Sequence, residues 1–180
     1  MLIDLESYYL QPIKTRDAWA LCDFIISNED RLKRYFPKTL EQNLTPDLSK
    51  VFVEKKVKQF RLKEEFLFTL KEKSTKQLVG LIYIKEIDPI KKQGEFAYCI
   101  GYPFEDKGLA SKSVKLLTEF AFKDLGLKTL QIIAHKTNLA SVKVAENCGF
   151  IWKKTLKNEF TPNGELPLDM ELYELYFENE

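Results

Sequence analysis

Tyr102-Pro103-Phe104-Glu105-Asp106-Lys107-Gly108-Leu109-Ala110-Ser111-Lys112-Ser113 decides how the rest of the chain is read. An apolar run with strand character, Phe96-Ala97-Tyr98-Cys99-Ile100, enters it, and an amphipathic helical pattern leaves it. The first N–H groups of a helix lack partners inside the helix and point the same way, and the helix dipole adds partial positive charge. A short strand-to-helix loop with a glycine is therefore a seat for phosphate. Lys107-Gly108-Leu109-Ala110 taken alone also fits an ordinary connection, so the flanks have to decide.

Downstream, Ala110, Val114, Leu117, Ala121 and Leu125 form an apolar stripe, with Lys115, Glu119 and Lys123 on the opposite face and Gly126 as the stop. Lys128 to His135 then reads as a strand. With a helix between, it should run parallel to the strand before the loop, as a right-handed βαβ unit. A compact helix from Asn138 or Leu139 to Cys148 ends at Gly149. Two last strands, about 150–160 and 166–177, flank Thr161-Pro162-Asn163-Gly164, a hairpin signal.

Upstream, Tyr8 to Ile13 reads as the first strand, and Thr15 as the cap of a helix burying Ala18, Leu21, Cys22 and Ile25. Asn28 to Phe36 suits a short helix or turn. Thr45-Pro46-Asp47 starts a helix running to about Lys63 that buries Leu48, Phe52, Val53, Val57 and Phe60. Its outer face carries Lys50, Lys55, Lys56, Lys58, Arg61 and Lys63, which suits solvent better than an anionic partner. From Glu65 the period becomes two: Phe66, Phe68 and Leu70 alternate with Leu67, Thr69 and Lys71. Strands at Leu78–Glu86 and Glu95–Tyr102 follow after short connections, which predicts an antiparallel meander. The chain shows no linker and no repeat, so residues 1–180 read as one α+β domain.

Composition narrows the function. A chain of 180 residues with net charge +1 has no basic excess for a nucleic-acid backbone. Met1-Leu2-Ile3-Asp4-Leu5-Glu6 lacks the features of a signal peptide, and no apolar stretch reaches the roughly 20 residues of a membrane span. Cys22, Cys99 and Cys148 sit in apolar patterns and read as free thiols of a reducing, cytoplasmic setting. His135 is the one histidine and there is no Cys-x-x-Cys, so no metal site is expected. Gly-x-x-x-x-Gly-Lys-[Ser/Thr] and Gly-x-Gly-x-x-Gly are both absent, which argues against the commoner nucleotide-binding loops.

Gly94-Glu95-Phe96-Ala97-Tyr98-Cys99-Ile100-Gly101-Tyr102, then Gly108-x-Ala110, then Asn138-x-x-Ser141 with Ala145-Glu146-x-x-Gly149-Phe150, resemble the GNAT superfamily of N-acetyltransferases. Within it the match is to the branch of ribosomal-protein N-terminal acetyltransferases (RimJ/RimL type). The specific motifs cover about residues 94–152, and the elements on both sides fall in the family's order. The resemblance implies a mostly antiparallel central sheet with two splayed parallel strands and flanking helices. It implies acetyl-CoA as the acetyl donor and a primary amine as acceptor, either a protein N-terminus or a small molecule, with direct transfer in a ternary complex. A non-catalytic acyl-CoA-binding module with the same fold is the alternative. Some relatives pair through their sheets, so a homodimer is open to this chain, though nothing in it requires one.

The resemblance also assigns residues. Main-chain groups near Cys99, Ile100 and Tyr102 would pair with the pantetheine arm as a strand would. Amides of Lys107, Gly108, Leu109, Ala110, Ser111 and Lys112 would take the pyrophosphate, and Asn138 the pantetheine. An N–H near Ile100 is the family's oxyanion donor. Glu95 is the candidate base, with a surface ion pair as its competing reading. Where many members carry the tyrosine that protonates the leaving thiolate, this chain has Ala145. Ser141, one turn earlier, is the substitute donor or else part of the helix cap. A second departure is Glu105-Asp106, two carboxylates that would repel a pyrophosphate unless turned away. His135 reads as an exposed strand end, Cys99 as a packed thiol, and Tyr35-Phe36-Pro37 as either acceptor-site lining or helix packing.

Overall fold

The computed structural model describes residues 1–177, so the last three positions of the expected domain lie outside the described residues. In chain order the elements are β1 (Ile3–Leu5), β2 (Tyr8–Pro12), α1 (Ala18–Ser27), α2 (Glu29–Tyr35), α3 (Pro37–Glu41), α4 (Pro46–Leu62), β3 (Phe66–Glu72), β4 (Leu78–Asp88), β5 (Gln93–Ile100), α5 (Leu109–Lys123), β6 (Thr129–Ala134), α6 (Leu139–Asn147), β7 (Ile151–Phe160) and β8 (Leu168–Tyr176). The strands hydrogen-bond in the order β1-β2-β3-β4-β5-β6-β8-β7. The pairs β1–β2, β2–β3, β6–β8 and β7–β8 are antiparallel, and β5–β6 is parallel. This is the α+β arrangement expected, with the parallel pair where α5 intervenes.

The chain divides into two compact units. One comprises Met1–Tyr83 with Tyr98–Leu109, and the other Ile84–Ala97 with the chain from Ala110 onward.

The core of the first unit holds Leu10, Leu21, Ile25, Leu32, Phe68 and Ile82. Its α4 begins as the sequence predicts: Thr45 Oγ1 accepts the Leu48 N–H at 3.3 Å, Pro46 fills the first position, and Lys63 ends the helix in the left-handed conformation. Several details differ from expectation. A strand, β1, precedes the expected first one because Glu6 takes a positive φ and turns the chain back. Thr15 does not cap α1. It opens a 3-10 turn in which the Asp17 carboxylate accepts the Lys14 N–H at 2.9 Å. Asp17 is instead the buried partner of Lys71, 2.5 Å away. Leu48 is exposed and Ser49 faces inward, where its hydroxyl donates to Asn43 Oδ1 at 2.8 Å. Lys56 leaves the basic face for Glu65 and lies 5.2 Å from the Phe52 ring centre. Both faces of β3 are covered from Phe66 to Lys71, so its alternating pattern marks two packed faces rather than one packed and one solvated.

The second unit packs Ile84, Phe96, Val114, Leu117, Ala121, Leu130, Ile132 and Phe150, with the Phe96 and Phe150 rings edge to face. Gly126 and Gly149 both take positive φ at helix ends, as the sequence predicts. Leu109, rather than Ala110, starts the apolar stripe of α5. Asn163-Gly164 does turn the chain, with Glu165 N–H donating to Pro162 C=O at 3.0 Å. Only Gly164 has positive φ there, so the two-residue I′ hairpin does not form, and the strands are joined by a longer loop from 161 to 167.

Candidate active site

Glu95 stands in β5, paired in parallel register with Gln131 of β6. Its carboxylate lies 3.0 Å from Lys85 Nζ and its side chain is 14% exposed. Burial pushes the carboxyl above its ordinary range; the Lys85 ammonium opposes that rise, and Glu86 and Glu159 add to it. Of the two sequence readings of Glu95, the ion pair is present, though part-buried rather than on the surface, with side-chain exposures of 30% for Lys85 and 14% for Glu95. The described β5–β6 pairs run from Gln93↔Thr129 to Phe96↔Ile132, although β5 continues to Ile100.

In the first unit, the end of β5 leads into the loop. Gly101 N–H donates to Val79 C=O at 2.8 Å, and a Cβ at Gly101 would sit 3.3 Å from Phe24 Cε2. Tyr102 N–H donates to Asn28 Oδ1 at 3.1 Å, while Asn28 Nδ2 donates to Phe24 C=O at 2.8 Å. The Arg31 guanidinium donates to Ile100 C=O and to the Glu105 carboxylate, and lies 4.3 Å from the centre of the Tyr102 ring. The Ile100 C=O and the Tyr102 N–H therefore already have protein partners. Cys99 is buried and its thiol is pushed up to about 11 by burial, partly offset by Arg31, which suits a packed thiol and not a nucleophile. Tyr35 is part of α2, and Phe36 stacks on Tyr83 at 6.3 Å.

After a 3-10 turn at Tyr102–Phe104, Asp106 and Gly108 both take positive φ, 58° and 68°, and bring the chain into α5. A side chain at Gly108 would meet no atom within 4 Å, so the backbone is open to close approach there. Lys107 Nζ lies 5.1 Å from the Phe104 ring centre. Leu109 is buried, while Ala110, Ser111 and Lys112 are partly accessible in the first turn of a 15-residue helix. These features suit a pyrophosphate: exposed main chain, the positive end of a long helix, and an acidic neighbour, Glu105, tied to Arg31.

In the second unit, Asn138 caps α6, its Oδ1 accepting the Ser141 N–H at 3.2 Å. The backbone of Ser141 therefore belongs to the cap. Ala145 is fully buried, and its methyl side chain has no proton to donate. The Cys148 thiol donates to Ser111 C=O at 3.4 Å. His135 Nδ1 is 2.6 Å from the Thr137 hydroxyl in a local turn.

Sequence reasoning missed Lys85, Arg31 and Asn28. Lys85 is one lysine of a strand, and its partner on the next strand follows only from register. Arg31 lies in Glu29-Asp30-Arg31-Leu32-Lys33-Arg34, where nothing separates it from its charged neighbours. Asn28 could have been noticed as a polar residue in the gap between two helices.

Residues 8–151 match the family model described as "Acetyltransferase (GNAT) domain". The spermidine N(1)-acetyltransferase of Escherichia coli K12 is 31% identical over 86 residues, 48% of this chain and 46% of that enzyme. The chain thus spans about half the length of that curated relative. A Bacillus subtilis protein provisionally named a ribosomal N-acetyltransferase is 24% identical over 167 residues, 88% of this chain and 86% of its own. Among solved structures, the ribosomal-protein-S5-alanine acetyltransferase of Vibrio fischeri superimposes with a TM-score of 0.92 at 21% identity, over 98% of this chain and 96% of the other. That likeness concerns the fold.

Proposed function

Because the GNAT model matches most of its length, the chain belongs to the GNAT acetyltransferase family, and we propose that it transfers the acetyl group of acetyl-CoA to a primary amine. The observation that supports this reading at the level of this chain's residues is the part-buried pair of Glu95 on β5 with Lys85 on β4. An alkylamine is protonated near neutral pH and must lose a proton before it can attack. A carboxylate whose pKa is raised by burial is a better proton acceptor than an ordinary one at that pH. The Lys85 ammonium opposes that rise and so favours the ionised form.

Acetyl-CoA supplies the activated acetyl thioester. Amides of Lys107 to Lys112 would hold its pyrophosphate, supported by the open backbone at Gly108 and by α5. Asn138 and the main chain near Cys99 to Tyr102 would hold the pantetheine, through groups other than the Ile100 C=O, Gly101 N–H and Tyr102 N–H, which have partners within the protein. For Asn138 only Nδ2 is offered to that arm in this reading, because Oδ1 serves the α6 cap. With Ala145 buried, the leaving thiolate takes its proton from the Ser141 hydroxyl or from water.

The acceptor is a protein N-terminus, supported by the relative named for ribosomal N-acetylation that matches 88% of the chain. A polyamine is the second reading, favoured by the 31% identity to the spermidine enzyme. The buried free thiols Cys22 and Cys99 suit a cytoplasmic protein. Incubation with acetyl-CoA and either a peptide with a free α-amine or spermidine, followed by mass spectrometry, tests the proposal. Addition of one acetyl group to either acceptor is expected. Release of coenzyme A no faster than without protein, with both acceptors unmodified, would refute it.

A further inference from the structure

Glu105 places a negative charge in the loop expected to receive a pyrophosphate, and the structure gives that carboxylate a specific partner. Arg31, from α2, reaches it with one guanidinium nitrogen while the other donates to Ile100 C=O. The guanidinium plane also lies over Tyr102, at 4.3 Å. Three anchors on one side chain, two main-chain and aromatic and one acidic, need a planar fork, which a lysine does not offer. The Arg31 side chain is 20% exposed and that of Glu105 44%, so the pair faces solvent on the loop's side and is held firmly on the helix's side.

Resting on the acetyl-CoA reading above, we infer that Arg31 is a positioning residue that keeps the Glu105 carboxylate turned away from the phosphate seat. Its effect on the cofactor passes through Glu105. The neutralised carboxylate neither repels the pyrophosphate nor competes for the amides of Lys107 to Lys112. Asn28 steadies the same join by accepting the Tyr102 N–H.

The test is calorimetric titration of acetyl-CoA into the wild type and four variants. Arg31→Met keeps the apolar stem and frees Glu105; affinity should fall about tenfold, with a larger fall at low ionic strength because the effect is charge repulsion. Glu105→Asp keeps the charge but shortens its reach to Arg31, and should also weaken binding. Glu105→Gln removes the charge and should bind at least as tightly as the wild type. The double variant Arg31→Met, Glu105→Gln should return to within about threefold of the wild type. A merely structural role for Arg31 gives no rescue in the double variant and no difference between Asp and Gln at 105, and either result overturns the inference. Glu105→Asp and Glu105→Gln leave α2 untouched, so the inference stays testable even if Arg31→Met folds poorly. Hydrogen exchange over residues 101–108 gives a reading without cofactor: it should quicken in Arg31→Met, and unchanged exchange would contradict the tether. A wild type that binds no acetyl-CoA would instead refute the proposed function, and this inference with it.

Discussion

Glu95 and Glu105 stand ten positions apart, each beside a cation, in two stretches that use the pairing differently. In β5 the carboxylate is buried and Lys85 works against the desolvation that lifts its pKa, so what the pair adjusts is a proton. In the loop the carboxylate is half exposed, and what Arg31 adjusts is where the charge points. Surface pairs contribute little to stability. On the inference above, the second pair acts through a ligand. Burial, not the identity of the partners, decides which kind of work an ion pair can do.

Removing the proton acceptor is the largest way to break this comparison. Glu95→Gln should lower turnover at limiting amine about a hundredfold, with acetyl-CoA affinity within about twofold of the wild type. Steady-state kinetics beside calorimetry would show it, and unchanged turnover would take Glu95 out of the chemistry.

Gly80→Ala comes next and presses on the strand end that leads into the loop. The new methyl would lie 2.7 Å from Ile100 Cδ1 and 3.2 Å from Cys99 C=O. A destabilisation of about 1–3 kcal/mol in urea unfolding is expected.

Lys85→Met sharpens the β5 half. The Glu95 carboxyl already sits above its ordinary range; without the ammonium that opposes this, it should rise further. The acidic limb of kcat/KM should therefore move to higher pH by about one unit, since activity requires the deprotonated form. The stability sign is the opposite. A carboxyl whose folded pKa is raised favours the folded state at pH values below its unfolded pKa, and that contribution fades as pH climbs through the folded value. A pH profile with an unmoved acidic limb would detach Lys85 from the proton.

Gly108→Ala should have the smallest effect, about 1 kcal/mol. Nothing within 4 Å obstructs a methyl there, so only the positive φ resists it. A chemical melt would give the value, and a loss as large as that of Gly80→Ala would show a crowded loop.

What could be read without coordinates was what lies close together in the sequence. The stops at Gly126 and Gly149 and the Thr45-Pro46 start follow from residues within a few positions of one another, and the parallel pair follows from the helix between its strands. The 102–113 loop was singled out on the same basis, and Glu95 only through the family resemblance. Thr15 failed because the turn starts one residue earlier: Asp17 accepts the Lys14 N–H, which leaves Thr15 inside the 3-10 turn, and Asp17 is itself held by Lys71, 54 positions away. Leu48 failed because the neighbouring Ser49 has a buried partner in Asn43. Lys56 was assigned to solvent because its partner Glu65 lies past the helix end, in the link to β3. Arg31 and Lys85 stayed hidden for the same reason: a charge shows its role only once its partner has been placed.

Calorimetric titration of acetyl-CoA into the wild-type protein tests the account's central claim most directly. The account predicts saturable binding at one site per chain, retained in Glu95→Gln. No saturable heat with millimolar acetyl-CoA would contradict it.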